Sequence, residues 1–79
     1  MKVTVFSITK YEDADAQRLF HLCEKIKDFQ FTIYVPNNNP KLRKYDNIEV
    51  KLYDKKILSV MKAALSSKNT DLVYVSFPL

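Results

Sequence analysis

The apolar positions of the chain follow two strand patterns. Residues 2–8 and 72–77 are apolar or aromatic at nearly every position. Such continuous runs are typical of strands that are covered on both faces, as in parallel sheets. Residues 29–35 alternate, but their intervening residues also favour strands, whereas residues 47–53 alternate cleanly between apolar and charged side chains. The pattern predicts three largely buried strands and one half-exposed strand whose charges protect a sheet edge.

Two further segments carry apolar residues at intervals of three and four, which predicts amphipathic helices over 13–27 and 55–68. We expect Asp13 to cap the first helix and Asp54 to cap the second. The predicted buried stripes are Ala16, Leu19, Phe20, Leu22, Cys23 and Ile26 in the first helix and Ile57, Val60, Met61, Ala64 and Leu65 in the second.

The order β-α-β-β-α-β predicts one Rossmann-like α/β domain over residues 1–79. Right-handed crossovers give three layers, with the helices on opposite faces of a mostly parallel four-stranded sheet of order 3-2-1-4. The connection over residues 36–46 is slightly short for an ordinary parallel crossover. An antiparallel hairpin of the second and third strands therefore stays open as an alternative.

The predicted order places the fourth strand at the second sheet edge. Its β-branched and aromatic residues leave that edge without the charges that usually prevent further pairing. We therefore expect further strands beside residues 72–77. They would come from chain beyond these residues, from a second copy or from a partner.

Composition excludes several classes of site. The chain contains no glycine, whereas average usage is about 7%. The glycine-rich loops of dinucleotide-binding folds and of P-loop proteins are therefore absent. Cys23 and His21 are the only residues of their types, so an internal disulfide is impossible and zinc ligands are scarce. We assign no catalytic residue, metal or cofactor.

The net charge of +4 lies in the second part of the chain. Residues 1–28 carry five basic and five acidic side chains, and residues 29–79 carry eight basic and four acidic ones. This excess can attract nucleic acid or an anionic membrane surface, but no aromatic or arginine pattern of a known nucleic-acid-binding module accompanies it. We therefore favour the interpretation that these basic residues form a solvent-exposed surface without a binding role. No apolar run reaches the roughly 20 residues of a membrane span, and no signal peptide is present, so we expect a cytoplasmic protein, with peripheral membrane contact as an option.

Polar residues follow the first strand where open α/β sheets bind ligands, at the carboxyl ends of the strands. We expect Lys10 and Tyr11 to contact a ligand there. Asp13 and Asp15 are better explained by helix capping and the helix dipole than as a catalytic carboxylate pair. His21 fits the polar flank of the first helix and has no partner for acid–base chemistry, and Cys23 fits its buried stripe.

Several segments resemble a family in their order and spacing: residues 2–6, 13–22, 31–36, 47–50 and 70–75. Together they are similar to the opening of GT-B-fold glycosyltransferases of the family 4 type. In that family the amino-terminal Rossmann-like half holds the sugar acceptor, and a second half holds the nucleotide sugar. The resemblance therefore implies that these residues form an acceptor-side half-domain that catalyses no transfer alone.

The resemblance also implies site residues. Those implied for the cleft are Ser7, Ile8, Thr9, Lys10, Tyr11, Phe77 and Pro78. Arg18 matches an arginine of the first helix in the family pattern. The glycines often found after the first strand are missing here, and so is the donor half with its paired glutamates.

Two other functions stay open at this stage. The first is a stand-alone α/β interaction module that dimerises through residues 72–77. The second is a basic nucleic-acid-binding module, for which the basic second part is the sole support.

Overall fold

The computed structural model describes residues 1–54, 56–66 and 69–76. Its elements are β1 (Lys2–Ser7), α1 (Ala14–Lys25), β2 (Gln30–Pro36), β3 (Ile48–Tyr53), α2 (Ile57–Ser66) and β4 (Leu72–Ser76). All six predicted elements occur in the predicted order. The predicted ends of the second helix and the fourth strand, at Lys55, Lys68 and Phe77, lie outside the described residues.

The four strands form a parallel sheet in the order β3-β2-β1-β4, which confirms the predicted fold class. In register, Val5 of β1 lies between Ile33 of β2 and Tyr74 of β4. Ile33 in turn pairs with Val50 of β3 in a parallel ladder. The antiparallel hairpin alternative is therefore wrong, and the connection from β2 to β3 is long enough to return to the amino end of the sheet.

The hydrophobic core lies on the sheet face covered by α1. Its fully buried members include Val5, Ile33 and Val35 from the strands and Phe20 from the helix. The helix buries Ala16, Phe20 and Cys23, as the periodicity predicts. The predictions for Leu22 and Ile26 are wrong, because their side chains are 54% and 43% exposed. Two residues span roughly 200° around a helix, so Leu22 lies on the side opposite Phe20.

The opposite sheet face lies under α2 and is more polar. Thr4 and Phe6 alternate with the core residues of β1, and Phe6 stacks on Tyr34 of β2 with ring centroids 4.9 Å apart. No described residue of α2 is fully buried. The predicted stripe is partly realised: Ile57, Val60, Met61 and Ala64 are half-buried, and Leu65 is exposed. The threonines beneath the helix give its apolar side chains little apolar surface to cover.

Asn47 caps the carboxyl end of α1. Its Nδ2 donates to the carbonyl oxygens of Cys23 (3.1 Å), Ile26 (3.0 Å) and Phe29 (3.4 Å), and the residue is 3% exposed. Helices commonly end on a glycine in the left-handed conformation, which this chain lacks. A side-chain amide just before β3 instead adds donors at this helix end, where the Cys23 and Ile26 carbonyls also accept from the Ile26 and Phe29 amides.

We expect Asn47→Ala to lower the free energy of unfolding by about 1–3 kcal/mol, since it removes the buried side-chain donor that three carbonyls share. Chemical denaturation monitored by circular dichroism measures the change. Asn38→Ala is the matched control, because Asn38 is exposed, and it should change the free energy by less than about 0.5 kcal/mol. Equal stability of the two variants would contradict the capping role.

Cys23 provides a second test of the core. Burial raises the pKa of its thiol to about 11, so the reactive thiolate is scarce near neutral pH. We expect alkylation by iodoacetamide at pH 8 to be at least roughly a hundredfold slower than at an exposed cysteine. Lys27→Cys in a Cys23→Ala background supplies that exposed reference, and mass spectrometry follows both reactions. Comparable rates would mean that Cys23 is accessible.

Candidate functional site

The carboxyl ends of β1 and β4 lie side by side at the point where the chain diverges to opposite faces of the sheet. From β1 the chain enters α1 on the core face, whereas α2, on the other face, leads into β4. Ser7 and Ser76 end these strands as partners in register, so their side chains share a face. We name the region around Ser7, Ile8, Thr9, Lys10 and Ser76 the switch-point crevice. Such a position is where open α/β sheets bind ligands.

The floor of the crevice is held by hydrogen bonds to Ser7. The Ser7 hydroxyl donates to the Thr9 carbonyl (2.9 Å), and the Ser7 carbonyl accepts from the Tyr53 hydroxyl (2.8 Å). Tyr53 ends β3, so its side chain reaches past β2 to make this bond. Burial raises the pKa of Tyr53, which keeps the donor protonated. Thr9 is half-buried above this floor, and Lys10 and Ile8 are exposed.

The charge around the crevice is mainly negative. Glu12, Asp13 and Asp15 surround the start of α1, and Lys10 is the nearest cation in sequence. Asp13 occupies the N-cap position with extended backbone, but its carboxylate makes no capping hydrogen bond, so the predicted side-chain cap is wrong. Three acids offset the positive end of the helix dipole. The crevice therefore suits a neutral ligand better than a phosphate.

Tyr11, which the sequence predicts to contact a ligand, has its side chain in the core, 5% exposed. Its ring meets Phe20 edge-on, with centroids 5.0 Å apart, and its hydroxyl lies 2.6 Å from that of Tyr45. Its carbonyl accepts from Nε2 of Gln17 (2.6 Å). Tyr11 thus anchors the β1–α1 loop to the core through its ring and hydroxyl, and to α1 through its carbonyl.

The other predicted site residues are spread out. Arg18 is exposed on α1 and pairs with Asp15 one turn earlier, at 3.3 Å. Phe77 and Pro78 lie outside the described residues. The structure brings together Thr9, Lys10 and the strand ends, and it places Arg18 in a separate ion pair.

The segment before β3 is fastened to α1. The Arg43 guanidinium lies 4.2 Å from the centre of the Tyr45 ring and bonds Glu24 at 2.7 Å, which lowers the pKa of that carboxyl. Tyr45 stacks on Phe20 with centroids 5.3 Å apart. With Tyr11, these residues form a clamp between α1 and the β2–β3 connection. Part of the basic second half of the chain therefore has a structural role.

Comparison of the chain with protein family models, curated proteins and solved structures finds no match. The fold and the crevice therefore carry the functional argument. Among the described residues, no group of acidic, histidine or cysteine side chains could hold a metal ion. The two described helices span 12 and 10 residues, and neither has the length or apolarity to cross a bilayer.

Two open spaces lie on the other face of the sheet. A cavity of about 460 Å³ separates α2 from the sheet and is lined by hydroxyls of Thr4, Thr32, Tyr34 and Ser59, together with Lys51. It adjoins a second depression of about 590 Å³ at the amino ends of the strands. Both lie away from the switch-point crevice, and they reflect the incomplete cover that α2 gives this face.

Sequence reasoning missed two residues of the site. Ser76 belongs to it through its register with Ser7, which follows from aligning the carboxyl ends of the two strands. Tyr53 supports it across the sheet, and no local pattern indicates a bond between residues that are 46 positions apart. The alternation of apolar and charged residues along β3 predicts only the face of the sheet on which Tyr53 lies.

The clamp predicts a pH dependence of stability. Burial, followed by the hydrogen bond between the Tyr45 and Tyr11 hydroxyls, raises the pKa of Tyr45 to about 12, above its value in the unfolded chain near 10. The stabilising contribution is complete below pH 10 and is lost as pH rises through 12. We expect the free energy of unfolding to fall more steeply between pH 10 and 12 in the parent chain than in Tyr45→Phe.

Denaturant titrations at each pH measure this difference. Cys23 and Tyr53 are present in both proteins, so their own titrations cancel to first order. Parallel curves for the two proteins over this interval would show that the Tyr45 phenol is not shielded.

Proposed function

We propose that this chain is the acceptor-side half of a GT-B-type glycosyltransferase and binds a sugar acceptor in the switch-point crevice. The observation that supports this most is the adjacency of the β1 and β4 ends, which gathers Thr9, Lys10 and Ser76 at one point. The parallel order β3-β2-β1-β4 is the arrangement expected of such a half-domain. The residue pattern that resembles the family supplies the remaining support.

The chemistry of the crevice suits a neutral polyhydroxyl compound. Thr9 and Ser76 offer hydroxyls that both donate and accept, and Lys10 offers an ammonium donor. Ile8, 40% exposed, supplies apolar surface for the carbon face of a sugar ring. The acids at the start of α1 and the lack of glycine disfavour a nucleotide phosphate, so the acceptor is the better match.

The proposal separates binding from catalysis. The resemblance implies that the nucleotide sugar is held by a different half, so these 79 residues bind but do not transfer. Lys10 and Thr9 contact the acceptor, and Tyr11 positions their loop from below. The resemblance also assigns contacts to Arg18 and Phe77. Arg18 reaches a ligand only by leaving Asp15, which costs little because the ion pair is exposed.

A titration monitored by NMR tests the proposal on the 79-residue chain. We expect neutral alkyl glycosides to shift the backbone amides of residues 7–13 and of Ser76 in a saturable way. Lys10→Ala should weaken binding by about three- to tenfold, the effect of one lost hydrogen bond. Lys27→Ala removes an equal charge at the far end of α1 and should leave the affinity unchanged.

Uridine diphosphate serves as the donor-side control and should shift none of these amides. The proposal fails if millimolar glycosides leave residues 7–13 unshifted. It also fails if the shifts fall only on Thr32, Tyr34 and Lys51, beneath α2.

A further inference from the structure

The outer edge of β4 has unpaired backbone groups. Among the described strands, β4 pairs only with β1. The Gln30 amide donates to the Met1 carbonyl and the Asp71 amide to the Lys2 carbonyl (2.8 Å), so Val3 faces β2 and Lys2 faces β4. With Val3 in register with Leu72, the backbone groups of Leu72, Tyr74 and Ser76 face β1, and those of Val73 and Val75 face outward. Among the described strands, none pairs with the outward amides and carbonyls of Val73 and Val75.

The side chains beside this edge are apolar and exposed. Leu72 is 52% exposed and Tyr74 is 54% exposed, and both share the core face with their partners Val3 and Val5. The clamp of Arg43 on Glu24 joins α1 to the segment before β3, at the opposite edge of the sheet. The core face over β4 is consequently left open.

The two sheet edges differ in charge. The edge strand β3 carries exposed Glu49 and Lys51, a common protection against further pairing. Residues 72–76 of β4 carry no charge. An uncharged edge is compatible with pairing to itself, because a two-fold axis brings identical residues close together and would oppose like charges.

We propose that a second copy of this chain pairs with β4 in antiparallel orientation about a two-fold axis at Tyr74. The outward residues Val73 and Val75 are symmetric about that position. Val73 of each copy then exchanges both backbone hydrogen bonds with Val75 of the other copy, and the two Tyr74 residues lie opposite each other as a non-hydrogen-bonded pair. About four hydrogen bonds form, and the outward backbone groups of Val73 and Val75 are satisfied.

The size of the chain adds a reason for this pairing. A domain of 79 residues buries a modest share of its surface, so the apolar area covered between copies adds usefully to stability. Ser76 belongs to both the switch-point crevice and the paired edge, whereas Thr9 and Lys10 lie on the loop between β1 and α1. A glycoside titration followed at residues 7–13 and a dimerisation assay therefore report on different groups, and either proposal can fail without the other.

Sedimentation equilibrium of the 79-residue chain over a range of concentrations is the first test. We expect a monomer–dimer equilibrium that Tyr74→Lys weakens at least about tenfold, because the axis brings two ammonium groups together. Leu58→Lys is the control, since Leu58 is an exposed leucine of α2 and its change should leave the dimer intact. Circular dichroism verifies that each variant folds.

Cysteine cross-linking tests the register. In a Cys23→Ala background, Tyr74→Cys should form a disulfide between copies on mild oxidation, because residues opposite each other in a non-hydrogen-bonded antiparallel pair have Cα atoms about 4.5 Å apart. Leu72→Cys should not, since the two copies of that residue would lie about 14 Å apart.

A monomer at millimolar concentration overturns the proposal. So does efficient cross-linking at position 72 without cross-linking at 74, which would indicate a different register. Protection of the Val73 and Val75 amides from hydrogen exchange in a monomeric sample would show that the chain covers its own edge, and that result also overturns it.

Discussion

The hydrogen bonds of the Asn47 side-chain amide are the constraint on which the architecture depends. Its three carbonyl acceptors end α1 and fix the following turn against the start of β3. The chain has no glycine for the common left-handed termination, and a residue distant in sequence adds side-chain donors at this helix end. Because the same residue accepts from the Phe31 amide (2.8 Å), it also sets where β3 enters the sheet beside β2.

The clamp extends this arrangement to the β1–α1 loop. Tyr45 follows the connection that Asn47 anchors, and through Tyr11 it holds the loop that carries Thr9 and Lys10. Tyr53 holds the floor of the crevice from the far side of β2. The candidate site therefore has a rigid base built by three tyrosines, and its polar side chains lie on top. Pre-organisation of this kind lowers the entropic cost of binding.

The architecture was predictable because periodicity decides which residues are buried. Continuous apolar strands, two helical stripes and the charged alternation of β3 together predict a mostly parallel sheet with β3 at an edge, and the structure excludes the antiparallel alternative. The prediction that β4 is largely buried is wrong, because Leu72 is 52% exposed and Tyr74 is 54% exposed. Other details that failed depend on partners far away in sequence. Neither the burial of Tyr11 nor the role of Arg43 follows from local spacing, since each needs Tyr45 beside it. The α2 stripe was only partly realised because hydroxyls face it.

The fully buried hydrophobic residues of the described chain all lie between Val3 and Ile48. The segment that contributes α2 and β4 therefore adds surface coverage and strand pairing without a buried anchor of its own. During synthesis the ribosome would release a nearly complete core before this segment emerges, and docking of the segment would be the last and most reversible step. Fluctuations that detach α2 and β4 would leave the core between Val3 and Ile48 folded.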